Sequence, residues 1–453
     1  MNGGGRSPRQ LRVPLLSRVA GQGALDLDIE GERVTAVRLR LLDPPRLFER
    51  LLEGYGYDQV TDAAARICGL CPVAYQLTAV QAFERLFGLE PSPWVRAMRR
   101  VLYCGEWLQS HALHIHLLAA PDFLGVDDAL GMTAGHAAAL QRGLRLHALG
   151  TDVVRLFGGR AIHPVGVRVG GFHRAPAVAE VAALADRLAD AIPAAEELVR
   201  WTASFDFPTD EQPFTSVALG HPHEYAIGAG RIQSGDGLDV AVGGFEDQVE
   251  VFQVPHSTAQ HVRLGGRPYL VGPLARLNLN FRELPPAVRV LLDTLPTPVP
   301  SHNMFHSVVA RAVEVLLAVR EAHRLLADYE PPAEAAAPVR PVAGTAVAAT
   351  EAPRGLLWMR LEVDSGGVVR HARILPPTAQ NQERCEEDLR NGLERFGAGR
   401  GDDELRRHAE RVIRNYDPCI ACAAHFLRLR VVRDQPDQPR GRASLLKDPA
   451  RTR

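Results

Sequence analysis

RICGLCPVAY, at residues 66–75, holds the first of two Cys-x-x-Cys pairs, and DPCIACAAH, at residues 417–425, holds the second. Four thiolates gathered from both ends of a chain suit a soft transition metal. A zinc ribbon normally spaces its two pairs by about 15–20 residues, because it is a local fold. Here roughly 350 residues separate the pairs, and closing so long a loop makes sense when the whole domain surrounds the metal. The spacing therefore predicts a catalytic metal centre.

The composition is that of an ordinary globular protein. Of 453 residues, 46% are hydrophobic and 23% charged, and 52 basic residues balance 53 acidic ones, which argues against a nucleic-acid-binding or disordered protein. No run of 18 apolar residues predicts a membrane span. The start lacks an apolar secretory signal and a twin arginine, and six cysteines do not make a disulfide scaffold. We therefore expect a cytoplasmic protein.

The chain reads as a single large domain over residues 12–425. Residues 1–11 are rich in glycine and arginine and are expected to be mobile. A glycine-rich stretch with short apolar runs predicts a small β-rich insertion at about 208–283, and a Pro/Ala-rich stretch predicts a surface linker at about 331–350. Residues 426–453 carry three prolines and many charges, so they are not expected to pack.

Helical spacing dominates the rest of the domain, so the predicted fold class is mainly α (α+β). Alternating apolar and polar residues predict two β-hairpins, at residues 19–42 and 356–375. The helical pattern occupies these stretches: 46–54, 58–88, 92–159, 178–203, 306–328, 380–396 and 402–415. The first cysteine pair is expected at a turn that opens a helix.

The contexts of the two cysteine pairs resemble the signature motifs of the large subunit of nickel–iron hydrogenases, RxCGxC near the start and DPCxxCxxH near the end. The order and the near-terminal positions match as well, over residues 12–425. The sequence RICGLCPVAYQ most resembles the corresponding segment of the soluble cytoplasmic branch that couples hydrogen to NAD(P), which includes the sulfhydrogenases. This resemblance implies long central helices with small peripheral β elements, and reversible cleavage of H2.

The resemblance also implies a metal content. Nickel would be held by Cys68, Cys71, Cys419 and Cys422, with Cys71 and Cys422 bridging to an iron that carries cyanide and carbon monoxide. Thiolates stabilise low-potential nickel, which agrees with the residue types present. A structural zinc or an iron–sulfur cluster remains the alternative.

Further residues fall where the family places its site. Pro353 and Arg354 match the segment that sets a guanidinium above the metals, and arginine cannot lose its charge there. The resemblance implies that Asp122 and Asp417 orient this guanidinium through charge-assisted hydrogen bonds. The alternatives are a surface arginine after a linker and, for Asp122, a helix cap.

Two more elements of the family pattern concern the iron and a magnesium ion. Thr378 matches the loop hydroxyl that binds a cyanide on iron, and its alternative role is a helix N-cap. Glu49 and His425 match the ligands of a magnesium that ties the C-terminus to the core, a site of suitable oxygen chemistry. Glu49 could equally be a solvated charge on a short helix.

One position departs from the family. The first hairpin usually opens with Arg-x-Glu-Gly, whose glutamate relays protons to the terminal cysteine on nickel, here Cys419. This chain has Ala20 at that position, and alanine cannot accept a proton. The alternatives are a low-activity or hydrogen-sensing relative with the same metals and, more remotely, a scaffold subunit like that of respiratory complex I.

The partners follow from what the chain lacks. It has no complete dinucleotide fingerprint and no P-loop, so FAD and NAD(P) are expected on diaphorase-type subunits. It has no spare cysteine motif for clusters, so a small subunit is expected to carry the iron–sulfur clusters. The resemblance also implies a maturation protease that removes residues 426–453 after nickel is loaded.

Overall fold

The computed structural model describes residues 8–424, and this part of the chain is dominated by α-helices. The helices are α1 (Phe48–Leu52), α2 (Tyr57–Ala65), α3 (Pro72–Phe87), α4 (Pro93–Leu113), α5 (Ala120–Leu124), α6 (Ala137–Gly158), α7 (Val178–Ala203), α8 (Pro273–Asn280), α9 (Pro286–Leu292), α10 (Ser307–Ala327), α11 (Pro377–Phe396), α12 (Asp402–Tyr416) and α13 (Ile420–Ala423). The mainly α fold class is therefore confirmed. None of the helices within residues 8–424 has the length and apolar character that a bilayer span requires.

The strands form small antiparallel sheets at the edges of the helical body. They are β1 (Arg9–Val13), β2 (Gly23–Glu30), β3 (Arg33–Leu41), β4 (Val167–Arg168), β5 (Gly171–Phe172), β6 (Val217–Gly220), β7 (Arg231–Ser234), β8 (Asp239–Val240), β9 (Val249–Gln253), β10 (Gln260–Leu264), β11 (Gly344–Ala352), β12 (Gly355–Val363) and β13 (Val369–Leu375). Three of the sheets have three strands each, in the orders β1-β2-β3, β6-β7-β8 and β11-β12-β13.

The N-terminal sheet confirms the first predicted hairpin and adds a strand to it. β2 and β3 pair around Gly31, whose positive φ of 62° suits the tight turn. β1 pairs with β2, and Leu11 and Val13 are buried under the sheet. The prediction of a mobile segment up to residue 11 is therefore wrong from Arg9 onward, because this strand pairs with β2 and buries its alternate apolar side chains. Residues 1–7 lie outside the described part.

The second predicted hairpin is the last two strands of a three-stranded meander. β12 pairs with β11 on one side and with β13 on the other. β11 begins at Gly344, so the predicted linker at 331–350 is wrong in its last seven residues. Their main chain pairs with β12, and Ala346 and Ala348 are buried. The strands β6–β10 fall within the predicted β-rich stretch, and the indole Nε1 of Trp358 ties them to the meander by donating to Val242 O at 2.8 Å.

Four long helices, α4, α6, α7 and α10, form the centre of the molecule and pack against one another. α4 and α6 cross at unusually short range, where Gly105 faces Gly150. A Cβ placed on Gly150 would lie 2.7 Å from the carbonyl oxygen of Gly105 and 2.7 Å from the amide nitrogen of Gln109. Only glycine fits such a crossing, because the obstructing atoms belong to the main chain.

The two ends of the domain meet beside these helices. The amide of Ile420, in α13, donates to the carbonyl of Ala20 at 2.9 Å, and Ala20 and Cys419 form an isolated parallel bridge. The last described residue, Ala424, forms an antiparallel bridge with Ala259. These main-chain contacts bring the second cysteine pair to the first.

The close crossing predicts an effect of mutation. Gly150→Ala should lower the free energy of unfolding by about 1–3 kcal/mol, since overpacking against main-chain atoms outweighs the gain in helix propensity. Gly135→Ala is the matched control, because a Cβ there meets no heavy atom within 4 Å. The check is the unfolding midpoint by circular dichroism, and equal midpoints for both variants would contradict the crossing.

Candidate metal centre

The four thiols of the two Cys-x-x-Cys pairs meet in one buried cluster. Cys71 is the N-cap of α3 and Cys419 that of α13, and all four thiols are free. The Sγ–Sγ distances are 2.9 Å from Cys68 to Cys71, 2.8 Å from Cys419 to Cys422 and 3.6 Å from Cys68 to Cys419. Sulfur atoms bound to one ion at about 2.3 Å lie about 3.8 Å apart in a tetrahedron. The cluster is compact enough to hold metal.

The surroundings of the cluster favour a thiolate at Cys419, whereas hydrogen bonds among the thiols and burial raise the pKa of Cys71 and of Cys422. The amides of Leu70 and Cys71 donate to Cys68 Sγ at 3.3 and 3.2 Å. Hydrogen bonds from the neighbouring thiols, with Cys422 foremost, lower the pKa of Cys419, and the charge of Arg354 acts in the same direction. Four sulfur donors in a buried site suit a soft transition metal and exclude a hard cation such as magnesium.

Arg354 lies within electrostatic range of the sulfurs of Cys419, Cys71 and Cys68. It sits in the two-residue turn between β11 and β12 and is only 3% exposed, so the alternative of a surface arginine is wrong. Its Nε donates to the carbonyl of Asp417 at 2.8 Å and one Nη donates to Asp417 Oδ1 at 3.1 Å. The other Nη donates to Ser110 Oγ at 3.3 Å. The guanidinium is thus fixed in orientation.

A second buried arginine holds the turn that carries Arg354. Arg276, in α8, donates to the carbonyls of Ala352 at 2.8 Å and Pro353 at 3.1 Å. Its charge is balanced by Glu314 and Glu351, at 2.7 and 2.9 Å, and all three side chains are fully buried. Pro353, which was predicted at the site, precedes Arg354 in this turn. Arg276 was missed, although a charge inside an apolar stretch is a usable signal.

Asp417 is the counter-ion of the site. It ends α12 in the left-handed conformation (φ 51°, ψ 56°), which aspartate tolerates better than most residues. Its second oxygen lies 3.7 Å from the guanidinium of Arg311, in α10. Burial lowers the pKa of Arg311 to about 10, and the charge of Asp417 opposes that shift. Asp417 therefore lies between two buried arginines. Of these, Arg354 was predicted and Arg311 was not.

Asp122 does not contact Arg354, so that part of the prediction is wrong. Its carboxylate binds Arg18 and, at 2.6 and 2.8 Å, Arg414. A π-helical segment between α4 and α5 precedes Asp122. It directs the Asp122 side chain towards α12 and the loop between β1 and β2. The helix-cap alternative is also wrong, since the N-cap of α5 is Ala119. Asp122 instead joins the two chain ends.

Thr378 is brought to the cysteines by α11. Its Oγ1 accepts a hydrogen bond from the amide of Cys419 at 3.0 Å. The N-cap position of α11 is Pro376, so the capping role considered for Thr378 is wrong. Because the hydroxyl accepts in this contact, its own hydrogen is free to be donated.

Glu49, in α1, lies near the C-terminal segment. Its Oε1 accepts from the amide of Ile374 at 2.8 Å, and burial raises its pKa, which does not fit a solvated charge. Arg46 donates its amide to the carbonyl of Ala424 at 3.2 Å. The amide group of Gln260 is buried in the neighbouring strand without a hydrogen-bond partner. His425, the other predicted magnesium ligand, lies outside the described residues.

The cluster predicts which cysteines hold metal. Cys68→Ala should lose the bound transition metal, because three sulfurs cannot complete the site. Cys104→Ala should keep it, since Cys104 is a buried thiol of α4 outside the cluster. Elemental analysis of the two purified variants is the measurement, and equal metal contents would contradict the assignment.

Comparison with known proteins identifies the family. A family model for nickel-dependent hydrogenases matches residues 46–151 and 253–425. Sulfhydrogenase 1 subunit alpha of Pyrococcus furiosus is 32% identical over 427 residues, which are 92% of this chain and 98% of that one. Sulfhydrogenase 2 subunit alpha of the same organism is 31% identical over 417 residues, 91% of this chain and 98% of that one.

Among solved structures, an NAD+-reducing NiFe-hydrogenase in the H2-reduced state is similar with a TM-score of 0.82 and 25% identity, over 92% of this chain and 99% of that one. Sulfur donors alone would also accept zinc or an iron–sulfur cluster, and the family decides between these metals. The matches favour a hydrogenase over a sensing or scaffold subunit. The chain belongs to the nickel-dependent hydrogenase family, as the catalytic subunit that carries the nickel–iron centre.

Proposed function

We propose that this subunit splits H2 heterolytically between a metal centre on the four cysteines and the fixed cation of Arg354. The observation that carries the proposal is the burial of four free thiols beside a guanidinium held at three points. When bound, nickel and iron supply the electron acceptor at which H2 is cleaved. The protein supplies the ligands, the charge and the proton route.

The residues around the cluster divide this work. Cys68, Cys71, Cys419 and Cys422 would hold the nickel, and Cys71 and Cys422 would also hold an iron carrying cyanide and carbon monoxide. The free hydrogen of the Thr378 hydroxyl suits a cyanide nitrogen. This assignment is supported by the contact of Thr378 with the amide of Cys419, which places the hydroxyl at the cluster.

Arg354 acts as a permanent positive charge. It cannot give up a proton under biological conditions, so it polarises H2 without taking part in proton transfer. A preorganised charge in a water-poor site stabilises charge separation more strongly than the same charge in water. Asp417 keeps the guanidinium from turning away, and Arg276 keeps its turn in place.

The proton released in the reaction would pass to Cys419 Sγ and must then leave the site. Ala20 lies beside Cys419 through main-chain contacts. We infer that a glutamate side chain at this position reaches the sulfur. With alanine present, the proton must leave through an ordered water or another polar group. We infer that proton exit limits turnover in this chain.

The electrons are proposed to pass through a small subunit with iron–sulfur clusters to a flavin subunit that reduces NAD(P)+. The similarity to an NAD+-reducing hydrogenase supports this acceptor, with sulfur as a second one in view of the sulfhydrogenase relatives. An NAD(P)-linked complex would act in the cytoplasm, where the dinucleotide pool is kept. Glu49 and His425 would hold a magnesium ion that fixes the new C-terminus, which forms when a protease removes residues 426–453.

The acceptor and the role of Arg354 share one test. The purified complex should reduce NAD+ or NADP+ with H2, and Arg354→Lys should lower kcat by about 100-fold with nickel and iron retained, because lysine cannot make the three directed contacts. Arg324→Lys is the control, since Arg324 is exposed and binds Glu321. Reduction of neither dinucleotide would refute the acceptor, and an unchanged rate in Arg354→Lys would refute the need for a guanidinium held by its three directed contacts.

The proton route has its own test. Ala20→Glu should raise the rate of H2/D2O exchange about 10-fold or more, because it supplies a base next to Cys419. Ala20→Gln is the isosteric control, as it fills the same space without accepting a proton. If the two variants exchange at the same rate as the unmodified protein, protons leave by a route that does not pass residue 20.

A further inference from the structure

Three metal-binding side chains meet at a second place, on the hairpin formed by β9 and β10. His256 lies in the hairpin loop, His261 lies in β10, and Glu386 projects from α11. The distance from His256 Nε2 to Glu386 Oε1 is 2.9 Å, and that from His261 Nε2 to Glu386 Oε2 is 4.0 Å. One ligand atom from each of the three residues lies within 4.8 Å of the other two.

His261 gives an independent sign that something is bound there. The residue is 1% exposed, and neither of its ring nitrogens makes a hydrogen bond of normal geometry. Its Nε2 faces the Glu386 carboxylate, but 4.0 Å is too long for a hydrogen bond. A buried imidazole normally has its nitrogens satisfied, because an unpaired buried polar group costs about 1–3 kcal/mol.

We propose that His256, His261 and Glu386 bind a zinc-type divalent metal ion, a site separate from the four-cysteine cluster. Two imidazoles and one carboxylate form a common zinc ligand set, with a fourth position left for water. Bonds of about 2.0–2.2 Å place tetrahedral ligand atoms about 3.4 Å apart. The observed 2.9 and 4.0 Å lie on either side of that value.

The donor types set the class of ion. Two imidazole nitrogens disfavour magnesium and calcium, which prefer oxygen ligands. The absence of sulfur among these three ligands separates the site from the cysteine cluster, which takes the softer metals.

A metal at this point would hold together α11, β3 and the hairpin of β9 and β10. Glu386 also accepts the amide of Leu39, in β3, at 2.8 Å. The hairpin between the two histidines carries Ala259, which pairs with Ala424 at the end of the described chain. Thr378 and Glu386 are both in α11, eight residues or about 12 Å apart along its axis. The site would thus brace the helix and hairpin beside the C-terminal segment without touching the cysteines.

Cobalt(II) is the probe that tells the two sites apart, applied to the full purified chain without H2. Cobalt held by nitrogen and oxygen gives only weak visible bands, whereas cobalt on thiolates adds intense ultraviolet charge-transfer bands. We expect the unmodified protein to contain about one zinc per chain when purified without chelators, and to show the weak tetrahedral bands once cobalt has replaced that zinc.

Two variants decide the assignment. His261→Ala and Glu386→Gln should each abolish these weak bands and the zinc while nickel stays unchanged, and Glu386→Gln preserves side-chain size as a guard against misfolding. His223→Ala is the control, because His223 is an exposed histidine outside the cluster. Bands and zinc that persist in both variants, or an unmodified protein with neither, would overturn the site. Either result is independent of hydrogenase activity.

Discussion

Four sulfur atoms from opposite ends of the chain have to meet, and the rest of the structure serves that closure. Joining segments roughly 350 residues apart costs free energy, because the chain loses conformational entropy. This cost grows slowly with loop length, and it arises before any metal binds. The fold meets this cost with main-chain contacts. Ile420 donates to Ala20, and Ala424 pairs with Ala259, so the second cysteine pair is anchored by main-chain contacts with other parts of the domain.

The second constraint is electrostatic. Arg276, Arg311 and Arg354 are all buried, and burying a charge is costly unless it is paired. Each has a carboxylate partner, and the partners are themselves shared, as Asp417 lies between Arg354 and Arg311. A network with shared members holds its geometry as a unit, because displacing one group leaves another unpaired. That rigidity keeps a permanent cation beside the sulfurs.

Much of this architecture could be predicted from the sequence. The two cysteine contexts were enough to indicate the family, and the long helix at 178–203 was predicted with its observed bounds. The missed features share a physical cause, since they depend on long-range partners. Leu11 and Val13 are too few to indicate a strand until β2 is known to lie beside them. The direction of Asp122 likewise depends on a π-helical turn that no local pattern marks.

The contact between residue 20 and Cys419 is made by main-chain atoms alone. These main-chain contacts do not depend on which side chain stands at position 20, so selection can alter that side chain without breaking them. In most enzymes a residue beside the reacting atoms is bound into the surrounding framework, so chemistry and folding change together. Here the two are decoupled at one residue, which makes reactivity adjustable over evolutionary time on an unchanged scaffold.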